Sequence, residues 1–123
     1  MPSLNEHRFK ADRNREVLAH LEIANPPNFD WIVTLQFYIA LHEVESYLAT
    51  KYRHSGTHKQ RNDYFYNFRE LHPIEPDFIS LEDLSRDARY KATTMLPADA
   101  RAGASLLLAI ESHIAILLST TAA

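Results

Sequence analysis

Residues 51–61, KYRHSGTHKQR, gather basic and titratable side chains on a chain whose formal net charge is −3. No acidic residue occurs between Glu45 and Asp63, so this segment is a local cationic patch. Such a patch is typical of a phosphate or RNA contact, although a solvated loop of ordinary surface charges has the same composition. The side chains concerned are Lys51, Arg53, His54, His58, Lys59 and Arg61.

A helix is predicted to begin inside this segment. Thr57 is followed three residues later by Gln60, which is the pattern of a capping box. His58 and Arg61 would then lie one turn apart at the amino end of the helix, where backbone N–H groups and the helix dipole favour an anion. A neutral histidine beside an arginine suits metal-free phosphodiester cleavage, since one group takes a proton from the ribose 2′-hydroxyl and the other neutralises the phosphorane.

A second polar group, Tyr38, His42 and Glu45, follows the i, i+4, i+7 spacing of one helix face. The order His-x-x-Glu is the reverse of the Glu-x-x-His motif of carboxylate-bridged di-iron bundles, and the sequence holds no second copy. We therefore expect a buried hydrogen-bonded network here, with no metal ion and no cofactor.

A third group, Arg86 and Arg89, is predicted to share one side of a later helix. Arginines at this spacing can clamp a phosphate or pair with an inward-facing acid such as Glu45. The ion pair is the favoured interpretation, because an acid near the core of a bundle needs a partner.

Five helices are predicted to position these groups, and short connections favour antiparallel neighbours in an all-α, up-and-down bundle. The second helix has the clearest apolar stripe, from Phe37 to Tyr52, whereas the fifth is apolar nearly all round. The fifth is therefore expected to be central or half buried against a second subunit, which predicts a homodimer. The predicted ranges are 4–24, 30–52, 57–72, 77–95 and 97–120.

Composition bounds the remaining possibilities. The 123 residues are 46% apolar and 24% charged, which fits a single globular domain over 1–123. The absence of cysteine excludes disulfides, thiolate zinc sites and cysteine nucleophiles, and favours a cytoplasmic location. Charges among the first twenty residues argue against a signal peptide, and the apolar stretch 106–118 is too short to predict a membrane partner.

The span from Trp31 to Tyr90 resembles the HEPN superfamily, α-helical domains common in prokaryotic toxin–antitoxin and defence systems. The resemblance is carried by WIVTLQFYIALHEVESYLA, SGTHKQRN and SRDARY and covers about half of the chain. It implies a dimeric helical bundle, whose active members cleave RNA without a metal ion through an Arg-x4-6-His motif. Arg53 and His58 match that spacing, and the implied phosphate contacts are His54, Lys59, Arg61, Arg86 and Arg89.

The same spacing occurs twice more in the sequence, from Arg13 and from Arg15 to His20. The superfamily motif generally lies late in the domain, whereas all three matches in this chain are earlier. The superfamily also includes inactive members that bind or regulate other proteins. The sequence thus predicts RNA and an antitoxin or other protein as partners, with a non-catalytic interaction module as the alternative function.

Overall fold

The structure is a computed structural model that describes residues 1–121, and these residues form five α-helices without a β-strand. The predicted all-α architecture is therefore confirmed. A 3-10 helix, Arg69–Ile74, connects the third α-helix to the fourth. The α-helices are α1 (Leu4–Ile23), α2 (Phe29–Thr50), α3 (His58–Asn67), α4 (Glu75–Tyr90) and α5 (Pro97–Thr121).

Helix α2 is the centre of the bundle and packs against α1, α4 and α5. It begins after Asn28, whose side chain accepts a hydrogen bond from Trp31 N. Most of α2 is buried, and Phe37 contacts Phe78 of α4, with ring centroids 5.5 Å apart. Tyr52, predicted on the inner stripe, is instead 82% exposed, because α2 ends at Thr50.

Helix α5 packs on α2 and α4 through one face, in which Leu107, Ile110 and Ile114 are buried. Its other side exposes Leu108 and Ile116. By length and composition alone, residues 97–120 are long and apolar enough to cross a membrane, which corrects the expectation that this apolar stretch is too short. Only 22% of the apolar window is buried in the bundle. Helix α5 is thus peripheral and carries an uncovered apolar side.

Helix α1 leaves three of its large apolar side chains, Phe9, Val17 and Ile23, exposed. The inward face instead carries His7, Ala11 and Leu18, whose spacing of four and seven residues keeps them on one side of the helix. Because His7 is polar, this buried face does not have the apolar periodicity typical of a packed helix.

Two predicted helices are shorter in the structure. Helix α3 ends at Asn67 and buries Phe65, after which the 3-10 helix buries Leu71. Helix α4 ends at Tyr90, five residues before the predicted end. The following segment is held by a hydrogen bond in which Met95 N donates to Asp30 Oδ1, 2.7 Å away.

Candidate functional site at the start of α3

The amino end of α3 is built by local capping. Thr57 Oγ1 accepts a hydrogen bond from Gln60 N at 3.1 Å, which confirms the predicted helix start. The Gln60 side chain accepts from Gly56 N at 2.6 Å, one residue before the cap residue. These two hydrogen bonds hold the loop that precedes α3 against the first turn of the helix. They therefore fix the backbone position of His58, the first residue of α3.

His58 has an exposed ring held by a mostly buried carboxylate of α4. Its side chain is 66% exposed, and its Nδ1 lies 3.1 Å from Glu82 Oε2. The Glu82 side chain is only 12% exposed. Nδ1 also lies 3.2 Å from Arg61 Nη1, so it either accepts from Arg61 or donates its proton to Glu82. In the tautomer that donates Nδ1–H to Glu82, the neutral ring carries its lone pair on Nε2, which is the nitrogen that can accept a proton.

Arg61 stands beside His58 but is turned into the protein. Its Nη1 lies 3.2 Å from His58 Nδ1, its Nε lies 3.4 Å from Glu45 Oε1, and the residue is only 7% exposed. The fold thus brings together the predicted pair, with Arg61 committed to Glu45 of α2. Glu45 and Glu82 supply negative charge to a segment that has none in its own sequence.

The two arginines of α4 have separate environments. Arg86 Nη2 lies 3.5 Å from Glu82 Oε1, so Arg86 and His58 contact the same carboxylate, that of Glu82. Arg89 instead lies over the rings of Tyr38 and Tyr90, at 5.5 and 5.4 Å from their centroids. The predicted pairing with an inward-facing acid is thus found for Arg86, but the acid is Glu82, because Arg61 pairs with Glu45.

The remaining predicted contacts lie near the surface. Arg53 is exposed and folds back on its own backbone, with Nη1 3.3 Å from the Tyr52 carbonyl oxygen. Lys59 is also exposed. His54 is exposed as well, and its Nδ1 lies 3.6 Å from Glu45 Oε2. Arg53 and Lys59 are thus the cations of this segment that solvent, or an anion, can reach.

Behind this surface lies a histidine cluster that the sequence did not predict. His7 of α1 is buried, and its Nδ1 is 3.1 Å from His42 Nδ1. The His7 ring also stacks on His54, with centroids 5.9 Å apart. His7, Glu45 and His54 can each offer a ligand atom, and these atoms all lie within 4.8 Å of one another.

Burial controls the protonation of the two inner histidines. Burial lowers the pKa of His42 to about 4, assisted by the nearby charges of His7, Lys10 and Arg61, while Glu45 opposes the change. Burial also lowers the pKa of His7, again against Glu45. Both rings are therefore neutral near pH 7, and a hydrogen bond between their Nδ1 atoms needs the proton on only one of them.

The only sequence signal for this cluster was the position of His7 on the same face of α1 as Ala11 and Leu18. The partners of His7 are 35 and 47 residues away, so no local motif joins them. The HEPN resemblance rests on three sequence segments, WIVTLQFYIALHEVESYLA, SGTHKQRN and SRDARY. Comparisons of the chain with protein-family models, with curated proteins and with solved structures found no match.

Proposed function

We propose that this chain is a HEPN-type RNA-binding domain that cleaves RNA without a metal ion, as a homodimer in the cytoplasm of a prokaryotic toxin–antitoxin or defence system. The observation that carries the proposal is the exposed ring of His58, held at Nδ1 by Glu82. A solvated basic loop would not need a carboxylate from another helix to orient one of its histidines. A carboxylate–histidine pair at the surface is an arrangement suited to a general base.

In the proposed reaction, His58 Nε2 takes the proton of a ribose 2′-hydroxyl. The 2′-oxygen attacks the adjacent phosphorus, and the bond to the 5′-oxygen of the next nucleotide breaks as that oxygen takes a proton from water, giving a 2′,3′-cyclic phosphate. Glu82 stabilises the imidazolium that forms at His58, because the carboxylate accepts its Nδ1 proton. Arg53 and Lys59 are the exposed cations that would neutralise the phosphorane.

Arg61 takes a positioning role in this scheme. Its burial and its bond to Glu45 keep it from reaching a phosphate in solvent, but they anchor the first turn of α3 to α2. Arg86 acts at the other side, since it holds the Glu82 carboxylate that orients His58. Arg89 has aromatic neighbours and fits a packing role.

The test is cleavage of labelled single-stranded and hairpin RNA in EDTA. His58→Ala should lower the rate by at least about a hundredfold, the usual contribution of a general base. Glu82→Gln, which keeps the shape of the side chain, should lower it less. His72→Ala is the matched control, because His72 is another exposed histidine whose ring contacts the Tyr66 backbone oxygen. Wild-type protein that cuts neither RNA, or His58→Ala protein that cuts at the wild-type rate, would refute the proposal.

A second candidate function is a non-catalytic module that associates with a copy of itself or with another protein. The exposed apolar side chains on α5, Leu108 at 64% and Ile116 at 60%, favour it. Light scattering at micromolar concentration tests the homodimer, and Leu108→Lys should shift a dimer towards monomer. A monomeric wild-type mass would argue against self-association.

A further inference from the structure

We propose that His7, Glu45 and His54 form a binding site for one divalent transition-metal ion, with zinc as the preferred ion. The bound ion would connect α1 and the α2–α3 loop to α2. This site is separate from the reaction assigned to His58, and it has a structural role. Imidazole and carboxylate are ordinary ligands of zinc, and a third imidazole, from His42, packs on His7.

The distances suit one ion without rearrangement of the helices. Zinc bonds of 2.0–2.1 Å place two ligands of one ion at most about 4.2 Å apart. The tetrahedral angle of a four-coordinate site reduces this spacing to about 3.4 Å. Separations within the group extend to at most 4.8 Å, so the widest pair of ligand atoms needs to close by up to about 1.4 Å. His54 can supply this movement, because it lies in a loop and its side chain is 39% exposed.

The surroundings of the ligands are those of a supported metal site. The two carboxylate oxygens of Glu45 have different partners. Oε1 accepts a hydrogen bond from Arg61 Nε, whereas Oε2 accepts one from Ser55 N and faces His54 Nδ1. Ligating carboxylates are usually held in this way by a second group. The ring of His7 is fixed by His42, with centroids 5.3 Å apart, so the helix-borne ligands are already oriented.

The ion would join three parts of the chain. His7 comes from the second turn of α1, Glu45 from the central helix, and His54 from the loop that leads to α3. This end of α1 meets α2 through the His7–His42 pair. An ion coordinated here would order the loop immediately before the cap of α3.

The experiment is a titration of the metal-free, full-length protein with Zn²⁺ against a chromophoric chelator, together with the visible spectrum of the Co²⁺ form. One ion per chain and intense Co²⁺ bands, typical of four-coordinate sites, are expected. His54→Ala should weaken Zn²⁺ binding at least tenfold. His20→Ala is the control, because His20 is an exposed histidine of α1 outside the group.

Stability gives a second readout that is independent of RNA cleavage. A free Zn²⁺ concentration one hundred times Kd should raise the Tm of wild-type and His20→Ala protein by about 10 °C. His54→Ala protein should keep its helical circular dichroism yet show little of this rise. Absence of stoichiometric binding by the wild type, or equal binding by His54→Ala, would overturn the site. Cleavage in EDTA would leave this outcome unaffected, so the two proposals fail separately.

Discussion

The substitution Glu45→Gln tests how the buried charges at the start of α3 are balanced. Glu45 is 3% exposed and accepts from Arg61 Nε, whose residue is itself 7% exposed. Glutamine keeps the size of the side chain and one acceptor oxygen but removes the negative charge. The Arg61 guanidinium would then be buried without the negative charge of its partner. Breaking a buried ion pair typically costs 3–5 kcal/mol, and the long contact of 3.4 Å places this pair near the lower end, at about 3 kcal/mol.

The corresponding change in Tm follows from the size of the chain. Unfolding entropy near 2.1 cal/mol/K per residue gives about 260 cal/mol/K for 123 residues, so a loss of 3 kcal/mol lowers Tm by about 12 °C. Urea unfolding followed by circular dichroism, in EDTA, measures the same loss as a shift of the midpoint at constant slope. The variant should still fold, because typical stabilities of 5–15 kcal/mol exceed the loss.

Two controls complete the test: a double-mutant cycle with Arg61, and a substitution in a solvent-exposed ion pair. In the Arg61→Met background, Glu45→Gln should cost no more than about 1 kcal/mol, because the cation is gone. Asp87→Asn is the matched control, since Asp87 pairs with Lys91 at 3.2 Å on the surface and should matter by less than about 1 kcal/mol. If Glu45→Gln costs the same with and without Arg61, the pair does not stabilise the protein as argued.

Three further outcomes are expected. Tyr52 has φ of 57° at the end of α2, where Arg53 N donates to Leu48 O and Tyr52 N to Ala49 O. Tyr52→Gly should therefore raise stability by about 0.5 kcal/mol, whereas Tyr52→Ala should not, and equal midpoints in urea would contradict this. Ile110→Ala empties a fully buried position on the inner face of α5 and should cost about 3 kcal/mol, while the exposed Ile116→Ala should change the midpoint little. Because burial lowers the pKa of His42 to about 4, the unfolded chain binds the proton more readily. Metal-free protein should lose stability as pH falls from about 6.5 to 4, by about 1 kcal/mol for this half-exposed ring, and His42→Gln should flatten that slope in urea titrations.

Local signals in the sequence determined the helices. Pro26 and Pro27 stop α1, Thr57 caps α3, and Pro97 opens α5, so these boundaries follow from short-range backbone chemistry. The strong periodicity of α2 likewise predicted its burial. Ends without a strong signal, such as that of α4, were placed several residues away from where packing puts them.

Tertiary structure alone decided which charges and rings meet. The acid nearest to Arg61 in the sequence is Asp63, yet the packing of α3 against α2 and α4 gives Arg61 Glu45 as its partner and gives His58 Glu82. His7 joins His42 and His54 for the same reason, although 35 and 47 residues separate them. Helix formation depends on neighbours within one turn, whereas these meetings depend on the rotation of each helix about its axis, which the whole core sets.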